Sequence, residues 1–307
     1  MKENENAKIN ILPAPTWNHL HINEAEYQGV SDAEEIFEGI KKMKIEPTGQ
    51  DPVVLDFGED FEGADIRIEA REDANIIFRF LNSGRDTKVR IRSAIAEGIK
   101  LNLSLVKLSD HERFYVTSDA DCDRGSTLFM TTVSLGNRET YLEGKASLRG
   151  EGSSFDTYTS YILNRDEFLD MNYVADQTGK NTGAEIVSAG VLKEKAEKNS
   201  RQTINFISGC AGSKGRESED VLLLNEDVIN RSAPLILCTE EDVEGEHGAS
   251  IGEPEEDTVF YLKSRGLDIE KIHQMLSIAK IETALKRIDH EETRKLVHEY
   301  LGIKEDL

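Results

Sequence analysis

What most constrains the fold of this chain is its texture between Val53 and about Cys238, where one short strand-like run follows another with almost no helical period between them. Ile66-Arg67-Ile68-Glu69-Ala70 alternates strictly between apolar and polar, as do Val89-Arg90-Ile91 and Leu101-Asn102-Leu103-Ser104-Leu105. Further runs follow at Leu128–Leu135, Tyr158–Leu163, Ile204–Ile207 and Leu235–Leu237. Alternation sends successive side chains to opposite faces, so each run buries one face and leaves the other to water or a neighbouring layer. About a dozen such strands leave a sandwich, a barrel or a solenoid. No Asn-Gly or Asp-Gly dipeptide occurs, which removes the strongest tight-hairpin signal and favours the wider turns of a parallel solenoid. No exact internal repeat occurs either, which favours the other two. The pattern by itself leaves the choice open.

The flanks differ from this β body, residues 53–251. In the N-terminal segment, residues 1–52, Ala33, Ile36, Phe37 and Ile40 share one face and predict a short helix over Asp32–Lys42, before Gly49-Gln50-Asp51-Pro52 breaks the chain. Residues 252–307 read as helical. Gly252-Glu253-Pro254-Glu255-Glu256-Asp257 starts a helix with Pro and acids where the dipole favours negative charge. Gly266 stops it. A second helix follows Asp268, with Ile269, Ile272, Leu276 and Ala279 at helical spacing, and a third follows Asp289 as N-cap with Glu292 at the capping-box position. These helices either cap the β body or present a face to a partner.

Charge and motifs exclude several functions. The 307 residues carry a net charge of −22, which repels phosphate backbones and anionic lipid, so neither nucleic acid nor a membrane is an expected partner. Three scattered cysteines, a polar start and no bilayer-length apolar run point to a reducing cytoplasm. Gly209–Gly215 has the wrong spacing for a dinucleotide fingerprint, and Gly179-Lys180-Asn181 makes no P-loop. Asp119-Ala120-Asp121-Cys122-Asp123-Arg124-Gly125 imitates a calcium loop but lacks its closing acid, and reads as a solvated acidic turn. His19 and His21 would share one face of a strand without a third ligand nearby. No serine elbow or triad context occurs, so no enzyme activity is expected.

One segment carries chemistry. Cys238 ends a strand-like run and His247 follows nine residues later; both suit iron, zinc or an iron–sulfur cluster. Residues 239–257 hold nine acids and no base, a field that attracts a cation and makes a free thiol a poor nucleophile.

The run Glu246-His247-Gly248-Ala249-Ser250-Ile251-Gly252, followed by Phe260-Tyr261-Leu262-Lys263-Ser264-Arg265-Gly266, resembles the paired signature of the SufB/SufD family of iron–sulfur cluster assembly proteins. Val221–Leu224 and Pro234–Cys238 resemble that family's last strands, and Thr16-Trp17-Asn18 its N-terminal segment. The likeness covers roughly residues 180–301 and is that of a short, archaeal-type member. It implies a mainly β fold: a right-handed parallel β-helix core with a C-terminal helical cap and a short N-terminal helical segment. It also implies a scaffold role in a Suf-type complex. The terminal helices would dock a SufC-like ABC ATPase through Phe260, Tyr261, Arg265, Ile272 and Leu276. Two β-helices would pair through their C-terminal strands as a homodimer, or as a heterodimer with another SufB/SufD-like chain. A transient iron–sulfur cluster would pass to apo-protein or carrier acceptors.

Carried over residue by residue, His247 matches a histidine implicated in assembly in SufD, Glu246 an acid beside it in SufB, and Cys238 a cysteine late in the same strand region of SufB. The cysteine regarded as the sulfur acceptor of SufB lies one strand earlier. Here that stretch is Glu217-Ser218-Glu219-Asp220-Val221, and an ungapped register places Glu219 at the position. The implied metal ligands are therefore Cys238, His247, Glu246 and Glu219, or else the chain is a SufD-like supporting subunit. Cys210, in a glycine-rich turn, reads as structural, and Cys122 as incidental. Two rivals remain: an adaptor that binds the ATPase without a cluster, and a polysaccharide-acting β-solenoid enzyme, which the single tryptophan disfavours.

Overall fold

A computed structural model describes residues 6–16, 18–49, 51–81, 86–109, 112–136 and 138–303. Trp17, part of the resemblance above, lies outside them. The strands are β1 (Asn6–Ile9), β2 (Ala25–Gln28), β3 (Lys41–Ile45), β4 (Val53–Phe57), β5 (Gly63–Ala70), β6 (Ala74–Phe80), β7 (Thr87–Ile95), β8 (Lys100–Leu108) and β9 (Phe114–Cys122). They continue with β10 (Thr127–Leu135), β11 (Glu139–Leu148), β12 (Ser154–Leu163), β13 (Phe168–Gln177), β14 (Gly183–Leu192), β15 (Glu197–Phe206), β16 (Ser213–Leu223), β17 (Ile229–Cys238) and β18 (Val243–Gly252). Three helices close the chain: α1 (Glu256–Ser264), α2 (Ile269–Leu285) and α3 (Glu291–Tyr300).

From β3 onward the strands alternate between two eight-stranded parallel sheets, odd strands in one and even strands in the other. This is a parallel β-solenoid, and the choice left open by the pattern is settled. The register advances by 27 residues where Leu101 faces Leu128 and Leu128 faces Phe155, and by 29 and 31 where Ser154 faces Gly183 and Gly183 faces Lys214. Turns stack as well as strands. Gly98, Gly125, Gly152, Asn181 and Gly212 all have positive φ. Gly98 N donates to Arg124 O at 2.8 Å, Gly125 N to Glu151 O at 2.9 Å and Gly152 N to Lys180 O at 2.9 Å. Glycine and asparagine tolerate the left-handed backbone that each such turn needs.

Inward positions fill the solenoid. Ile66, Ile68, Phe78, Phe80, Val89, Ile91, Leu101 and Leu103 are buried in one continuous core. The outer face of the even sheet is apolar too and is covered by the C-terminal helices: Ile77, Val106, Val133 and Ile162 meet Ile281, Ala284, Leu285, Ile288 and Val297. On the odd sheet the β1–β2 hairpin packs Tyr27 against Tyr115 and Tyr141. The segment between these strands is pinned by a buried Arg201–Asp170 pair at 2.5 Å, which also binds Ile22 O and the Asn10 amide.

Several sequence expectations change in detail. The helix expected over Asp32–Lys42 is a 3-10 turn at Glu34–Phe37, and Lys41 already begins β3, so the solenoid starts inside the stretch read as an N-terminal segment. Ile36 and Phe37 are buried as expected, because one short turn suffices to face them inward. His19 belongs to a 3-10 turn at Asn18–Leu20 and His21 follows it with φ 50°, so the two do not share a strand face. Asp119, Asp121 and Cys122 lie on β9, with only Asp123–Gly125 in the turn. The N-cap of α3 is His290, whose ring accepts from Thr293 N, one residue beyond Asp289. The Asp268 cap of α2 and the Gly266 stop of α1 stand as read. Among the described residues no helix is long and apolar enough to cross a membrane.

Candidate functional site: the C-terminal rim of the solenoid

β17 and β18 are the outermost strands of their sheets among the described residues, β17 resting on β15 and β18 on β16. Alternation decides where each side chain points. A Cβ on Gly215 would touch Ile204 and Phe206, and one on Gly245 would touch Ile236 and Phe206, so these positions face the interior. His247 and Ala249 share that face with Gly245, two and four residues on, and His247 lies in register with Glu217. On β17 the matching series runs through Ser232, Pro234, Ile236 and Cys238, with Cys238 above the buried Phe206. Cys238 and His247 thus stand on the inward-facing positions of the last coil, one per sheet, and both are exposed because the solenoid ends there. The Cys238 thiol donates to Glu240 O at 2.9 Å. The Glu240 carboxylate accepts from Gly209 N at 2.8 Å, and that donor with the Glu241 amide holds it below the usual carboxylate range.

The other two sequence-derived ligands lie elsewhere. Glu246 faces the opposite side of β18 from His247, in register with Arg216, since neighbours in a strand cannot share a face. Glu219 sits one coil inside, buried and ion-paired with the fully buried Lys198. Lys198 also donates to Ser232 Oγ at 3.2 Å, and burial pulls its ammonium down while Glu219 opposes the shift. Among the described residues no three His, Cys, Asp or Glu side chains converge on one point. The rim of one chain therefore presents a thiol and an imidazole rather than a finished metal cage.

Sequence reasoning missed the polar interior beneath the rim. Gln202 Nε2 donates to Ser188 Oγ at 3.1 Å and Thr159 Oγ1 to Tyr173 Oη at 2.7 Å, both inside the solenoid. Glu217 is 1% exposed, and neither carboxyl oxygen has a partner in hydrogen-bonding geometry. Desolvation pushes this carboxyl up to about 8, against weak help from the Ile204 and Leu235 backbone. The available signal was Glu217-Ser218-Glu219 alternating ahead of Val221, which puts both acids on the face of a core residue. Cys210 and Cys122 are buried, and burial pushes the Cys122 thiol up to about 12, so both are inert.

The second surface is α1, which has no buried residue. Phe260 is 74% exposed and Tyr261 54%, and the Arg265 guanidinium lies 5.2 Å from the Tyr261 ring centroid. Ile272, grouped with these by sequence, is wholly buried, so it holds α2 in place and is not open to a partner; Leu276 is half-buried.

Residues 58–280 match the family model described as SUF system FeS cluster assembly, SufBD core domain. Over 176 residues the chain is 23% identical to iron-sulfur cluster assembly protein SufB of Bacillus subtilis, covering 57% of this chain and 38% of that protein. It is 23% identical over 171 residues to iron-sulfur cluster assembly protein SufD of the same organism, covering 56% and 36%. A SufBD family protein of Pyrococcus horikoshii is 26% identical over 181 residues, covering 58% and 40%. The match thus spans well under half the length of these relatives.

Proposed function

This chain belongs to the SUF-system SufBD core family, and from that premise we propose that it is a scaffold subunit on which nascent iron–sulfur clusters are built. The observation that carries the reading is the rim: Cys238 and His247 stand on the inward positions of a last coil whose outer strand edges no strand of this chain occupies, among the described residues. A [2Fe–2S] cluster takes four protein ligands. One thiol and one imidazole supply half of that set, and a second rim brought edge to edge supplies the rest. The cluster is cargo, taken up on paired rims and passed to an apo-protein or carrier. The nine acids of residues 239–257 concentrate cations around it. The chain itself takes no catalytic step. Nucleotide hydrolysis falls to a SufC-like ABC ATPase docked on the exposed Phe260 and Tyr261 of α1 and on Arg265 just after it, and the complex works in the cytoplasm.

The test is anaerobic reconstitution with ferrous iron and sulfide, reading visible charge-transfer absorption and iron per chain. The Cys238→Ala/His247→Ala variant is expected to retain less than a fifth of the wild-type cluster. Equal loading would overturn the scaffold reading and leave an adaptor, which co-purification of the ATPase with wild type but not with Phe260→Ala would identify.

A further inference from the structure

We propose that the interior of the last two coils holds one small, hard divalent cation, bound by the Glu217 carboxylate with oxygens of Ser200, Gln202 and Ser232. A cavity of about 30 Å³ is lined by these residues together with Glu219, Ala233, Pro234, Gly248 and Ala249. That volume accommodates a single ion or one to two waters. Glu217 aims into it with both carboxyl oxygens unpartnered, although the residue is 1% exposed. A buried carboxylate without a counter-charge is among the costliest arrangements in a protein interior. The nearest interior base cannot serve, because Lys198 is already committed to Glu219 and Ser232. Gln202 spends its amide nitrogen on Ser188, which turns its carbonyl into the free end. With Glu219 neutralised by Lys198, the one carboxyl without a counter-charge is that of Glu217, which a bound cation would let give up its proton among the surrounding hydroxyl and amide oxygens. Carboxylate, hydroxyl and amide oxygens select hard ions such as Mg²⁺ or Mn²⁺ over thiophilic ones. The chamber lies one coil inside the rim, directly below His247 in register, so an ion enters from the open end.

This inference rests on the chamber and not on the assembly reading, and the experiment separates the two. Full-length protein freed of metal by chelation is titrated with Mn²⁺ in 150 mM NaCl, following free Mn²⁺ by electron paramagnetic resonance. About one ion per chain is expected for wild type and for Cys238→Ala/His247→Ala alike, with affinity lowered at least tenfold in Glu217→Gln. Mn²⁺-soaked crystals of wild type should show an anomalous peak beside the Glu217 carboxylate, a readout that needs no variant to fold. Absence of that peak, unchanged affinity in Glu217→Gln, or loss of the ion only in the rim variant would each overturn the chamber site.

Discussion

The two ends of the solenoid are built on one strand pattern and filled with opposite chemistry. In the early coils the interior is a column of rings. Phe57 stacks on Phe61 at 4.1 Å and on Phe80 at 5.1 Å, and Phe80 meets Phe114 edge-on at 5.0 Å. In the late coils the same inward positions carry Lys198, Ser200, Gln202, Glu217, Glu219 and Ser232. Burying a ring side chain stabilises by about 1.5–3 kcal/mol, whereas buried charges at best break even. The backbone ladder continues unchanged past both. The lesson is a division of labour: apolar coils supply stability, and polar coils give some of it up to hold ionisable groups beneath the rim.

The largest effect should come from emptying the apolar end. Phe80→Ala is expected to cost about 4 kcal/mol in denaturant unfolding. A loss below about 1 kcal/mol would break the comparison, because the early coils would not be where stability resides. Next comes the buried pair. Lys198→Met leaves Glu219 charged and alone and should cost about 3 kcal/mol, while Lys198→Met/Glu219→Gln should recover most of that. Failure of the double variant to recover would mean that the late coils depend on the ion pair as the early ones depend on rings.

The smallest effect is pH-dependent and concerns Glu217, which faces the neighbourhood of Glu219, Lys198 and His247. Its carboxyl stays protonated in the fold up to about 8, whereas the unfolded chain releases the proton near the ordinary glutamate value of 4.5. Stability from this group is therefore full below the unfolded value and declines as pH rises through the folded one. Glu217→Gln escapes that decline. In chelator-containing buffer it should gain roughly 1–3 kcal/mol over wild type at pH 8.5 and nothing at pH 5, read from melting temperatures. An equal gain at both pH values would mean that packing, not charge, sets the difference between the ends.

How much of this was legible differs by element. Strict alternation in Ile66–Ala70 and Leu101–Leu105 exposes strands because their outer faces are polar. The solenoid itself is harder to read, because its coils lengthen from 27 to 31 residues and blur any repeat. What does recur is the turn glycine before a strand, at Gly98, Gly125, Gly152 and Gly212, with Asn181 in the series. β18 hides among acids, since an edge strand at an open end has no buried face to advertise. At the site, Cys238 and His247 could be found from their chemistry. The burial of Glu219 by Lys198 could not, because residues 21 apart in sequence meet only through the coil. Glu246 comes from the family resemblance alone, and its place beside His247 in sequence puts it on the opposite side of β18.

The open rim has one more consequence. Parallel strands with unsatisfied amides and carbonyls invite any further strand to add on, and nothing in the backbone limits such growth to a single step. Stacked end upon end, such solenoids would become fibres. Glu240, Glu241, Asp242, Glu244 and Glu246 crowd this edge with like charge, and Pro234 removes one amide from it. The acids thus act as gatekeepers against runaway polymerisation, a guard that salt would weaken by screening and that only a specific, charge-compatible mate would pass.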